Sequence, residues 1–153
     1  MDLILWRHAE AELLRDGSTD AERALTTKGE RQATRMAQWL NHRLAATTRV
    51  LVSPAERARA TAAALGRDAR ITPGIAPEAT VDDLLKVSRW PRSSEPVLLI
   101  GHQPALGQLA ALLLAGEPLA WSIKKGAVWW LRSRQRGDQD EVILQAVQSP
   151  DCL

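Results

Sequence analysis

The sequence contains a single cysteine, Cys152, and no phenylalanine or tyrosine, so tryptophan supplies all of its aromatic side chains. One cysteine excludes an internal disulfide and a cysteine-ligated metal cluster, and it argues against redox chemistry. The chain also lacks a long apolar run, and the apolar stretch near its start is too short for a signal peptide or a membrane span. We therefore expect a soluble, cytoplasmic protein that does not associate with a membrane.

The sequence also lacks a cluster of charges of one sign. The formal net charge is +2, and charged residues make up 25% of the chain without a long run of lysine or arginine. This pattern gives no support for nucleic-acid binding, although a mildly basic protein suits an anionic substrate. The 153 residues, 45% of them hydrophobic, predict one domain over 1–153, and they leave the oligomeric state open.

Short apolar runs and amphipathic stretches alternate along the chain. The runs at 3–6, 50–52 and 97–100 predict buried strands. Helices are predicted over 28–46 with Thr26 or Thr27 as N-cap, from a cap at Ser53-Pro54 to residue 65, and after Pro104. The proline-rich segment 67–96 predicts a mobile excursion with one helix over 81–87, and 127–131 with 142–147 predict a hairpin.

This alternation predicts an α/β fold with a mainly parallel central sheet and helices on both faces, a three-layer sandwich. Such folds bind ligands beyond the carboxyl ends of their strands. Arg7-His8, Ser53-Pro54 and Gly101-His102 each follow a predicted strand. We therefore expect one site at this edge of the sheet, lined by imidazole and cationic side chains.

Four residues in these segments are suited to phosphoryl chemistry. His8 can act as a nucleophile if its ring is neutral, and the adjacent Arg7 disfavours the imidazolium form. Arg57 can bind two phosphate oxygens at once near a helix start, and His102 can donate to the same group. Taken singly, each has a structural alternative: a local hydrogen bond for His8, a solvated helix charge for Arg57, and a core histidine for His102.

Together, Arg7, His8, Arg57 and His102 resemble the four-residue pocket of the histidine phosphatase superfamily. The flanking stretches are similar to the small SixA-type phosphohistidine phosphatases, in order from residue 3 to about residue 115. Four stretches carry the resemblance: 5–11 (LWRHAEA), 23–29 (RALTTKG), 51–58 (LVSPAERA) and 99–104 (LIGHQP).

This resemblance implies a phosphoglycerate mutase-like fold and a phosphatase that acts on phosphohistidine of another protein. His8 would attack phosphorus and form a covalent phosphohistidine, which water then hydrolyses, while Arg7, Arg57 and His102 bind the oxygens. It also implies a reaction without a metal or cofactor, because the two arginines supply the positive charge.

One departure from the superfamily concerns the general acid. Glu78, Asp82 and Asp83 are the positional candidates, but their sequence context does not distinguish them from surface carboxylates. Two further readings therefore stay open: a phosphatase of small phosphate esters, and a phosphate-binding module without turnover.

Several tryptophans lie near lysines in the last third of the chain, at Trp121, Lys124, Lys125, Trp129 and Trp130. Trp129 and Trp130 are neighbours on a predicted strand, so their side chains must point to opposite faces of the sheet. One of them is expected in the core, the other at an edge or a partner surface. Gln103 and Gly107 are expected to serve positioning and packing.

Overall fold

A computed structural model describes residues 1–153 and contains one six-stranded sheet with four α-helices. The strands are β1 Asp2–Arg7, β2 Arg49–Val52, β3 Arg70–Ile71, β4 Val97–Gly101, β5 Val128–Arg136 and β6 Gln139–Gln148. The helices are α1 Thr27–Asn41, α2 Glu56–Ala63, α3 Val81–Ser88 and α4 Ala105–Ala115. Three short 3-10 helices lie at Asp20–Glu22, Pro73–Ile75 and Pro150–Cys152.

The sheet has the order β3-β2-β4-β1-β5-β6. Strands β1 to β4 pair in parallel, whereas β5 pairs with β1 and β6 in antiparallel register. The predicted α/β architecture with a mainly parallel sheet is thus confirmed. The two-residue strand β3 was not predicted, because its residues are exposed and carry no apolar pattern.

Alternating side chains of the sheet build a core on each face. Leu3 and Leu5 of β1 belong to a cluster with α3 and α4 residues, and Ile4 and Trp6 belong to another with α1 and α2 residues. All four side chains are fully buried. Because successive strand residues point to opposite faces, β1 supports both helical layers. This is the predicted three-layer sandwich.

Two predicted helix boundaries are wrong. Helix α1 begins after Thr26, whose hydroxyl accepts from Gly29 N at 2.9 Å, but it ends at Asn41 and not at residue 46. Helix α2 does not begin at Ser53-Pro54, since Glu56 is its first residue and Ala55 its N-cap. The Ser53 hydroxyl has another partner, described below.

Trp129 and Trp130 occupy opposite faces of β5, as predicted. Trp130 belongs to the core cluster with α1, and its ring packs edge-on against Trp39 at 6.2 Å between ring centroids. Trp129 is half-buried on the other face, 6.0 Å from the Trp121 ring centroid. Both rings therefore belong to packing layers of the fold.

Candidate active site

His8 is the first residue after β1 and is held by its backbone on both sides. His8 N donates to Gly101 O at 3.1 Å, and His8 O accepts from Gly126 N at 3.0 Å. The ring is buried, and its Nδ1 lies 2.8 Å from Ala9 O. A carbonyl oxygen only accepts, so Nδ1 carries the proton and Nε2 keeps a free lone pair. Nε2 is the nitrogen suited to attack phosphorus.

His102 follows β4 directly and lies beside His8. The two ring centroids are 5.1 Å apart. His102 Nε2 lies 2.7 Å from the Ser53 hydroxyl, and Nδ1 is buried with no hydrogen-bond partner. When the Ser53 hydroxyl donates to Nε2, the ring proton lies on Nδ1. In that tautomer Nδ1 is a buried donor without a partner.

Arg7, the last residue of β1, is fixed by the loop that precedes β5. Its Nη1 donates to Ile123 O at 2.9 Å, and its Nε is buried without a partner. Gln103 secures this loop, because its Nε2 donates to Trp121 O at 2.8 Å while its Oε1 accepts from Gly107 N at 2.8 Å. A Cβ at Gly107 would lie 1.7 Å from Trp121 O, so only glycine permits this approach.

Arg57, in the first turn of α2, is almost completely buried, at 3% exposure. Its Nη1 donates to Asp20 O at 2.9 Å and its Nη2 to Asp20 Oδ2 at 3.1 Å, while its Nε has no partner. Asp20 also accepts from Arg23 Nε at 3.0 Å. The guanidinium plane is therefore fixed from one side by Asp20, and its other donors remain for an anion.

Burial and neighbouring cations keep both pocket histidines neutral. Burial is the largest cause and lowers the pKa of His8 from 6.5 to about 4, with further lowering by the charges of Arg57 and Arg7. Burial likewise lowers the pKa of His102 from 6.5 to about 3, assisted by His8 and Arg57. A neutral imidazole near neutral pH is the nucleophilic form.

The pKa directions predict that neither pocket histidine titrates in its ordinary range. In a ring-proton NMR titration we expect midpoints of about 4 for His8 and about 3 for His102. His42→Gln, which removes the exposed histidine at the end of α1, serves to assign the signals. A His8 midpoint near its ordinary 6.5 would show that the ring does not stay neutral through the mildly acidic range.

The lowered pKa values of His8 and His102 also determine how the stability of the fold changes with pH. Between about pH 6.5 and about pH 4 the unfolded chain binds protons at both positions that the native protein does not bind. The stability contributed by the neutral histidines is thus present above about pH 6.5 and is lost as the pH falls through the pKa of His8, about 4, and that of His102, about 3.

The three predicted general-acid candidates form no hydrogen bond or ion pair with the pocket histidines or arginines. Asp83 closes a capping box at the start of α3, where Thr80 N donates to its carboxylate at 2.9 Å. Glu78 and Asp82 are exposed and take part in no ion pair. Asp20 is the one carboxylate that touches a pocket arginine, and sequence reasoning missed it because it lies in a polar stretch without periodicity.

Ser53 and Thr61 also have roles that the sequence did not reveal. Ser53, predicted as a helix cap, accepts from Ala55 N at 3.2 Å without capping α2, and its hydroxyl also bonds to His102 Nε2. The Thr61 hydroxyl accepts from Ala9 N at 3.0 Å and donates to Arg57 O at 2.7 Å, so it connects the residue after His8 with α2. The position of Ser53 directly after a strand could have indicated a place at the site. Nothing in the sequence around Thr61 indicates its role.

Two classes of feature are absent from the structure. No helix combines the length and apolarity needed to cross a membrane. No group of three or more histidine, cysteine, aspartate and glutamate side chains is arranged to hold a metal ion.

Comparison with known proteins agrees with this geometry. The model of the histidine phosphatase superfamily (branch 1) matches residues 3–80. The phosphohistidine phosphatase SixA of Escherichia coli K12 is 34% identical over 126 residues, which cover 76% of this chain and 76% of that protein.

Solved structures extend the similarity over nearly the whole chain. A structure assigned as a phosphohistidine phosphatase SixA from Nakamurella multipartitia has a TM-score of 0.80 at 28% identity and covers 97% of this chain and 95% of its own. A protein histidine phosphatase SixA complexed with tungstate has a TM-score of 0.78 at 28% identity and covers 99% of both chains. From the family match over more than half of the sequence and these SixA-type relatives, the chain belongs to the histidine phosphatase superfamily.

Proposed function

We propose that this phosphatase hydrolyses phosphohistidine on another protein through a covalent intermediate on His8. The observation that carries the proposal is the neutral, buried His8 ring, with its proton on Nδ1, beside three side chains that each have a buried nitrogen without a hydrogen-bond partner. Those nitrogens belong to Arg7, Arg57 and His102, the residues that we assign to bind the phosphoryl oxygens.

In the first step a bond forms between His8 Nε2 and phosphorus while the phosphorus–nitrogen bond of the substrate breaks. The substrate ring departs as neutral imidazole when its other nitrogen carries a proton. In the second step water attacks phosphorus and the bond to Nε2 breaks, which releases inorganic phosphate. Because the His8 proton stays on Nδ1, where it is donated to Ala9 O, His8 also departs as neutral imidazole.

The carboxylates of the structure favour this substrate class over alkyl esters. Partial burial acts to raise the pKa of Asp20, but the charge and hydrogen bond of Arg57, together with Arg23, lower that pKa overall. Asp20 is therefore ionised and cannot supply a proton near pH 7. An alkoxide leaving group requires a proton in the transition state, whereas a ring-protonated phosphohistidine does not. SixA of Escherichia coli, a relative described above, is named for the same activity.

A substrate panel tests the proposal. Purified protein is incubated with a phosphohistidine peptide, a phosphoserine peptide and glycerol phosphate, each with and without a chelator, and phosphate release is measured. We expect kcat/KM for phosphohistidine to exceed that for alkyl esters by about 10²–10⁴, the usual contribution of a general acid. We also expect no effect of the chelator, because arginines supply the positive charge.

Other outcomes would identify the competing functions. Faster hydrolysis of glycerol phosphate, slowed about a hundredfold in Glu78→Gln, Asp82→Asn or Asp83→Asn, would make the protein a small-ester phosphatase with a true general acid. Phosphate binding without release from any substrate would make it a binding module. Inhibition by the chelator would contradict a metal-independent reaction.

A further inference from the structure

A basic cluster on the outer side of α1 is not used by the pocket. We call it the basic face and define it as Lys28, Arg31, Arg35 and Lys124. The first three line a cavity of about 380 Å³ together with Gln32, Pro150 and Asp151. All four cationic side chains are exposed. The three cations of α1, Lys28, Arg31 and Arg35, form no ion pair. Lys124 pairs with the Asp151 carboxylate at 3.0 Å.

Positive charge outweighs negative charge on the basic face. Within the cavity lining the only carboxylate is Asp151, whose pKa is lowered by the hydrogen bond and charge of Lys124 and by the charge of Lys28. Glu30 lies beside Arg31 and Arg35 in the adjoining groove. The formal net charge of the complete chain is +2, so the rest of the molecule is slightly negative. Clustered charge of this kind attracts an oppositely charged surface before contact.

The basic face lies at the same edge of the sheet as His8. Gln32 Oε1, within the cavity lining, accepts from Glu10 N at 3.0 Å, two residues after His8. Gly126 N donates to His8 O at 3.0 Å, and a Cβ at Gly126 would lie 3.2 Å from Pro150 and 3.5 Å from Gln32. One layer of backbone therefore separates the nucleophile from the basic face.

Resting on the proposed function, we infer that the basic face docks an acidic surface of the substrate protein that carries the phosphohistidine. Charge complementarity is the physical basis, since the face offers unpaired cations next to the reacting group. Protein is favoured over single-stranded nucleic acid because the cavity lining contains no aromatic side chain on which bases could stack. Trp121 and Trp129 pack with the core cluster on the other face of the sheet.

Synthetic phosphohistidine substrates test the docking. Two peptides of about 20 residues carry a central phosphohistidine flanked by glutamates or by lysines, and each extends about 30 Å to either side, enough to reach the face. Free phosphohistidine is the third substrate. For the wild type at low salt we expect kcat/KM to be about tenfold higher for the glutamate peptide than for the lysine peptide, and the difference to disappear in about 1 M salt.

Charge reversal assigns the effect to the basic face. Arg31→Glu combined with Arg35→Glu is expected to remove or invert the preference and to leave hydrolysis of free phosphohistidine unchanged. Arg136→Glu is the matched control, since Arg136 is exposed in the β5–β6 hairpin and β5 runs antiparallel to β1, away from the His8 edge. This variant should keep the wild-type preference.

The outcomes separate the docking from the proposed function. Equal kcat/KM for both peptides in the wild type, or a preference that survives the double variant, would overturn the docking and leave the phosphohistidine activity intact. Failure to hydrolyse any of the three substrates would overturn both. Binding of a labelled single-stranded RNA that the double variant abolishes, with peptide preference unchanged, would assign the basic face to nucleic acid instead.

Discussion

Replacing His8 by alanine is expected to reduce phosphohistidine hydrolysis by at least about a thousandfold, because a covalent route cannot proceed without its nucleophile. The geometry gives the ring one free nitrogen, Nε2, since Nδ1 donates to Ala9 O at 2.8 Å. Retention of more than about a tenth of the wild-type kcat/KM would remove His8 from this role.

A labelling experiment makes this prediction independent of the assay. Wild-type protein quenched during turnover of a radiolabelled substrate should carry an acid-labile, alkali-stable label, the signature of phosphohistidine. The label should be absent from His8→Ala and present in His42→Ala, which removes an exposed histidine at the end of α1. Tryptophan fluorescence checks that the fold persists, since Trp6 lies in the core next to the His8 backbone.

The sequence predicts the layers of this fold better than its element boundaries. Apolar runs such as 97–100 are buried on both faces, so their hydrophobicity alone identifies them as central strands. Helix ends depend on tertiary contacts instead. Residue 44 continues the apolar stripe of α1 and is buried, yet the helix has already ended at Asn41, and the Asn41 side chain donates to Leu65 O at 2.9 Å.

The site could be predicted only where the sequence places a functional side chain at a strand end. His8 and His102 follow β1 and β4 directly, and parallel strands bring their ends to one edge. Asp20 lies 37 residues from Arg57 in the sequence, within a polar loop, and Thr61 lies on a helix with no chemical motif. Contacts of this kind are created by the fold, so a single sequence carries no signal for them.

Arg57→Lys is expected to lower kcat/KM for phosphohistidine by about a hundredfold or more, nearly as much as Arg57→Ala. The guanidinium donates to two oxygens of Asp20, and its Nε has no partner. In the proposed reaction, Nε and the remaining N–H groups bind the phosphoryl oxygens. A lysine ammonium has a single nitrogen, so at this buried position it cannot donate to Asp20 and to two phosphoryl oxygens at once. Shape, and not charge alone, should therefore determine the loss.

The loss should appear in the transition state more than in substrate binding. We expect kcat to fall together with kcat/KM, and the inhibition constant of vanadate, which mimics five-coordinate phosphorus, to rise in parallel. Arg59→Lys is the matched control, because Arg59 is exposed on the same helix and forms no ion pair. If Arg57→Lys stayed within about tenfold of the wild type while Arg57→Ala lost activity, positive charge alone would suffice, and the orientation that Asp20 imposes on the guanidinium would have no catalytic role.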